Sequence, residues 1–172
     1  MHIGDFSILR KYTALTWVSL EATEGKISFY DLSLLANCTG LERLSISGTR
    51  VTDISSLKYF PKFCSLDLRN LRLADFSPLS GALALMDLNL TDTSFSDLAL
   101  LASLPALKKL NCNHTAVTSL APLRLGFAAI EELDISECKI KCYAALFGLR
   151  KLVRVRADIF ESQTVIDRVY RH

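Results

Sequence analysis

Cys112 and His114 stand two residues apart in LKKLNCNHTAVTSLAPL, residues Leu107–Leu123. A thiol beside an imidazole is the material of a nucleophile–base pair, or of half a zinc site. Cys138 and Cys142 also have a metal-like interval. Asp31, Asp53, Asp75 and Asp97 make a regular series of carboxylates, the residue type that acid–base catalysis uses. Whether any of these side chains meet depends on the elements that carry them.

Those elements repeat. LERLSISGTRVTDISSLKYFPK, Leu41–Lys62, is a unit of 22 residues, and units of the same length open at Phe63 and Leu85. The unit from Leu107 has 23 residues, Ile130 opens another of 22, and a partial unit starts at Leu152. Upstream, Leu15 opens a unit of 26, with extra residues around Glu24–Lys26. DFSIL at Asp5–Leu9 matches DISSL at Asp53–Leu57, so the chain begins inside a repeat.

Apolar residues occupy positions 1, 4, 6, 11, 14, 17 and usually 20 of each unit, as in Leu41, Leu44, Ile46, Val51, Ile54, Leu57 and Phe60. The interval 4–6 has period 2 and predicts a short strand. The interval 11–20 has period 3 and predicts 3₁₀ turns or one short helical turn. Strands are expected around Val18, Leu44, Leu66, Leu88, Leu110, Leu133 and Val155. At a strand spacing of about 4.8 Å they would make a parallel stack roughly 30 Å long. A single unit cannot bury its apolar face; stacking closes the core.

Register separates the reactive residues. Cys112 takes position 6, an inward position, and His114 takes position 8, which faces outward. Asp31, Asp53, Asp75 and Asp97 share position 13, where each can cap the free N–H groups of the following turn. Cys138 and Cys142 fall at positions 9 and 13. No catalytic set, metal site or cofactor is expected from any of them. Position 9 reads Thr23, Thr49, Leu71, Thr93, Thr115, Cys138, Phe160. A hydroxyl there can satisfy a buried backbone group, so altered backbone is expected at Leu71 and Phe160.

The stretches TRVTDISSL (Thr49–Leu57), LRLADFSPL (Leu71–Leu79) and TAVTSLAPL (Thr115–Leu123) resemble leucine-rich repeats. The likeness is to the 22-residue class of bacterial internalins and phosphatase regulators. Threonine at position 9, where that class has asparagine, resembles the repeats of trypanosomatid parasites. The resemblance covers nearly the whole chain. It implies an α/β solenoid with a parallel concave sheet and 3₁₀ turns or short helices on the convex side. It further implies binding of a protein partner on the concave face, without catalysis.

Positions 3, 5 and 7 should project from that face. From these columns Trp17, Arg43, Asp67, Arg69, Asp87, Asn89, Lys109, Asn111, Asn113, Asp134 and Arg156 are the expected partner-binding residues. Trp17 and Arg69 are the foremost single anchors. Asp87 with Lys109, and Asp134 with Arg156, should pair across neighbouring strands.

Composition fits a globular chain: 172 residues, 50 % hydrophobic, 22 % charged, net charge +2. Aromatics do not alternate with basic residues in a row, so nucleic acid is not an expected partner, and no small-molecule substrate is expected. No apolar run reaches the roughly 20 residues of a membrane span. The start, MHIGDFSILRKY, lacks the layout of a signal peptide, and five cysteines, an odd number, do not suit a disulfide framework. A reducing, cytoplasmic location is the expectation. Residues 1–159 are assigned to the solenoid. Residues 160–172 are assigned to a closing helix or tail, since Val165, Ile166, Val169 and Tyr170 share one helical face. At the other end Ile3, Phe6, Leu9 and Tyr12 continue the period-3 face, so docking or oligomerisation through the N-terminal end is the alternative mode of action.

Overall fold

The computed structural model describes residues 5–21, 27–158 and, as backbone alone, 159 and 162–167. One sheet carries the strands in chain order. They are β1 (Trp17–Ser19), β2 (Arg43–Ser45), β3 (Ser65–Asp67), β4 (Asp87–Asn89), β5 (Lys109–Asn111), β6 (Glu132–Asp134), β7 (Arg154–Ile159) and β8 (Ser162–Asp167). β1 to β7 run parallel, with Val18, Leu44, Leu66, Leu88, Leu110, Leu133 and Val155 side by side in register. The sheet is parallel because each unit travels once around the core before the next strand begins.

The return path is made of 3₁₀ helices, including Leu32–Leu35, Ser55–Tyr59, Ser77–Gly81 and Leu98–Leu101. Position 13 starts them. Asp31, Asp53, Asp75 and Asp97 accept the backbone N–H two residues on, at 2.9, 2.7, 2.8 and 2.9 Å. Pro78 and Pro122 lie in the first turn of their helices, where the missing N–H costs little.

Strands β2 to β6 each leave the sheet through a residue in the left-handed region: Gly48 (φ 65°), Asn70 (59°), Asp92 (57°), His114 (52°) and Glu137 (56°). Their N–H groups extend the ladder past the strand. Gly48 donates to the Arg69 carbonyl at 2.9 Å, Asn70 to Thr91 at 3.0 Å and His114 to Ser136 at 3.0 Å. Gly, Asn and Asp suit this backbone, whereas His and Glu pay about 1 kcal/mol or more for it.

The core is the stack of positions 1, 4, 6, 11, 14, 17 and 20. Leu41, Leu44, Ile46, Val51, Ile54, Leu57 and Phe60 are all buried, as are their counterparts through Ile135. Phe76 and Phe95 meet edge to face at 5.2 Å. Irregular unit lengths leave the register intact. In the 23-residue unit Phe127 (φ 59°) absorbs the extra residue, and its neighbour Gly126 approaches the preceding unit closely. A Cβ on Gly126 would lie 2.1 Å from the Ala102 carbonyl oxygen.

Two expectations are corrected. The backbone at Leu71 is unaltered: Asn70 keeps the φ of its counterparts, and the Leu71 N–H still reaches the Leu68 carbonyl at 3.3 Å, as Thr49 reaches Ile46 at 3.2 Å. The backbone bond makes the turn, and the threonine hydroxyl only adds to it. The helix expected within 160–172 is a strand over Ser162–Asp167, antiparallel to β7. Residues 160–161 and 168–172, and position 9 at Thr23 and Phe160, lie outside the described residues.

Candidate interaction surface

Register lines up three columns on the concave face. Position 3 runs Trp17, Arg43, Ser65, Asp87, Lys109, Glu132, Arg154, and position 5 runs Ser19, Ser45, Asp67, Asn89, Asn111, Asp134, Arg156. Position 7 follows just beyond the strands. All eleven residues expected on this face lie on it or at its exit edge, but their side chains are differently engaged.

Position 5 serves the backbone. In a parallel ladder the N–H of position 7 would seek the position-6 carbonyl of the preceding unit. That carbonyl is already taken. Thr49, Thr93 and Thr115 donate their hydroxyls, each at 2.7 Å, to the carbonyls of Ile46, Leu90 and Cys112, and the Leu71 N–H takes that of Leu68 at 3.3 Å. The displaced N–H turns to its own position-5 side chain. Arg69 donates to Asp67 at 3.0 Å, Thr91 to Asn89 at 3.1 Å, Asn113 to Asn111 at 2.9 Å and Ser136 to Asp134 at 3.1 Å. These are Asx turns that close the strand exit. Asn111 also accepts the Thr91 hydroxyl at 3.0 Å, and Asn113 donates to Ser136 Oγ at 2.8 Å, so the units are cross-linked through this edge. The sequence held the signal, an Asp or Asn at position 5 of four consecutive units, but its purpose shows only when the backbone donors are counted.

Arg69 is committed too. Its Nε and Nη2 fold back on the Asp67 carboxylate, with Nη2 at 2.7 Å from Oδ2, and that carboxylate raises the Arg69 pKa above its ordinary value.

Charges over β5 to β7 bind one another. Lys109 Nζ lies 2.8 Å from Glu132, Arg154 lies 3.0 Å from the other oxygen of Glu132, and Arg156 lies 3.6 Å from Asp134. The expected Asp134–Arg156 pair is therefore present. Lys109 pairs with Glu132 instead of Asp87. Hydrogen bonding from Lys109 holds the Glu132 carboxyl below its ordinary pKa, and the same bond raises that of Lys109.

Over β1 to β4 the aromatic and charged strand side chains without a hydrogen bond or contact ion pair among the described residues are Trp17, Arg43 and Asp87. Trp17 is 67 % exposed. Asp87 makes no ion pair at contact distance. Loss of water on the crowded face lifts its pKa, Glu132 and Asp67 lift it further, and Lys109 opposes the shift. A shallow depression of about 210 Å³ lies between Asp87 and Arg156, floored by Leu110 and Leu133.

Cys112 is fully buried, and burial drives its thiol pKa well up. His114 is exposed at the strand exit and pairs through Nδ1 with Asp92, the same position one unit earlier, which raises the imidazole pKa. The two side chains point apart, as the register predicts. Cys138 Sγ lies 3.3 Å from the Thr115 hydroxyl and completes the position-9 column, while Cys142 is exposed. Among the described residues no group of three or more His, Cys, Asp or Glu is placed to hold a metal ion, and no helix is long and apolar enough to cross a membrane.

Solved structures share this architecture. Internalin C2 from Listeria monocytogenes superposes with a TM-score of 0.76 at 25 % identity, over 83 % of this chain and 61 % of that one. Internalin F from the same organism gives a TM-score of 0.66 at 20 % identity, over 87 % of this chain and 48 % of that one. The chain thus spans about three fifths of the first protein's length and half of the second's. Neither a protein-family model nor a curated protein matches the sequence. The fold is an internalin-like leucine-rich-repeat solenoid.

Proposed function

We propose that this chain is a non-enzymatic module that binds a protein partner on its concave face, with the decisive contacts over β1 to β4. One observation carries the reading: Trp17, Arg43 and Asp87 share one column and face outward, and their side chains make no hydrogen bond or contact ion pair among the described residues. Aromatic and arginine side chains are the common anchors of interfaces. Asn89, Lys109, Asn111, Asn113, Asp134 and Arg156 extend this surface, and Asp67 and Arg69 edge it as a preformed pair. Residues that already hold one another contribute shape and charge without the cost of being ordered on binding. Once a partner is isolated with the intact chain, Arg43→Glu and Asp87→Lys should each weaken its binding at least about tenfold. Unchanged affinity in both variants defeats the concave reading.

Exposed Ile8, Tyr12 and Tyr30 favour a second reading, docking or self-association through the N-terminal end. Solution mass across a concentration series separates the two. Growth that Ile8→Ser abolishes supports the end, and a constant monomer mass excludes self-association. Five unpaired cysteines support a reducing, cytoplasmic setting. The threonine ladder at Thr49, Thr93 and Thr115 supports kinship with the trypanosomatid repeat proteins.

A further inference from the structure

The flank by which each unit returns from its 3₁₀ helix to the next strand has a composition of its own. Positions 18 to 22 and position 2 lie there. Between Arg10 and Val153 these positions hold eight lysines or arginines and two carboxylates, Glu42 and Glu131, in a chain whose net charge is only +2. The opposite flank, positions 8 to 13, carries the aspartate caps, with Asp92 and Glu137 beside them.

Large apolar side chains stand among those cations. Leu125 is 84 % exposed, Phe147 79 %, Leu83 60 % and Val153 57 %. The scaffold does not require them. At position 19 Leu125 corresponds to Gly81, Ser103 and Gly148, and at position 18 Phe147 corresponds to Lys58, Ser80 and Ala102. Leu125, Phe147 and Val153 belong to successive units, with exposed Arg124, Arg150 and Lys151 between them. At position 2, Lys108 and Glu131 of neighbouring units pair at 3.3 Å.

We propose that this flank docks on an anionic lipid bilayer, with Leu125, Phe147 and Val153 entering the interface and Arg124, Arg150 and Lys151 meeting lipid phosphates and carboxylates. Apolar tips set among cations that outnumber the carboxylates eight to two match a surface that is apolar inside and negative outside. The concave face stays free for a protein.

The test is flotation of the intact chain with phosphatidylcholine vesicles, with and without about 30 % phosphatidylserine. The wild type should float only with the anionic vesicles. Leu125→Ser with Phe147→Ser should weaken this more than about tenfold, and so should Arg124→Gln with Arg150→Gln and Lys151→Gln. Arg50→Gln with Arg72→Gln, on the other flank, should change it by less than about twofold. Circular dichroism confirms the fold of each variant. A wild type that stays in solution with both vesicles, or apolar and basic variants that bind as the wild type does, overturns the proposal and leaves the strip to a protein contact.

Discussion

The two halves of the concave sheet are built on the same backbone and differ in how their charges are ordered. Over β5 to β7 the position-3 column reads Lys109, Glu132, Arg154, opposite signs one strand apart, and the three join in one ion-pair chain. Over β2 to β4 it reads Arg43, Ser65, Asp87, and the intervening strand holds the opposite charges roughly 10 Å apart. One half satisfies itself and the other is left for something else to satisfy. Spacing of charge along a solenoid thus divides one face into a rigid part and a receptive part.

The largest test of this contrast concerns position 5. Asn111→Ala deprives the Asn113 N–H of its acceptor and the Thr91 hydroxyl of the longer of its two contacts, and should cost about 1–2 kcal/mol in urea unfolding. Ser45→Ala, at the same position in the receptive half, should cost only a few tenths of that. Equal losses would erase the difference between the halves. Next in size is Glu132→Gln. Removing the shared acceptor of Lys109 and Arg154 should cost about 0.5–1 kcal/mol at low salt and less at high salt, because the group is partly exposed. Arg43→Gln should leave stability unchanged at either salt.

The smallest effect lies in pH. The Glu132 carboxyl is held below its ordinary value of 4.5, so its ion pairs stabilise the fold above that pH and are lost as pH falls through the lower folded value. Asp87 is shifted the other way. Its ionised form costs stability above its raised folded pKa, and the cost is relieved as pH falls through that value towards the ordinary 3.8. Asp87→Asn should therefore raise the Tm slightly at neutral pH, with the gain vanishing in acid, whereas Glu132→Gln should lower it at neutral pH and converge on the wild type in acid.

Much of the fold was legible in the sequence because its rules are local and repeated. The period of Leu41, Leu44 and Ile46 predicts a strand in every unit, and an aspartate at position 13 predicts the start of the turn in the units that carry Asp31, Asp53, Asp75 and Asp97. Outward columns follow from the same alternation. Three features were not legible, each for a physical reason. The Asx turns of Asp67, Asn89, Asn111 and Asp134 depend on which backbone donors the ladder leaves over, a matter of three-dimensional accounting. Lys109 had a carboxylate on either side, and its choice of Glu132 follows from side-chain geometry that spacing does not specify. Val165 and Ile166 fit a helical face, but β7 offers an open edge, and β-branched residues beside an open edge form a strand.

The left-handed exits have a consequence for how such a protein changes its length. Each hands the hydrogen-bond ladder to the neighbouring unit alone, and the longer units from Leu15 and Leu107 keep the register of the strands they join. An in-frame duplication or loss of one whole coil, such as Phe63–Ala84, would therefore meet the same two neighbours on either side. Lineages carrying this scaffold can add or remove reach in steps of one strand spacing, and recombination at any coil boundary yields a chain that still closes.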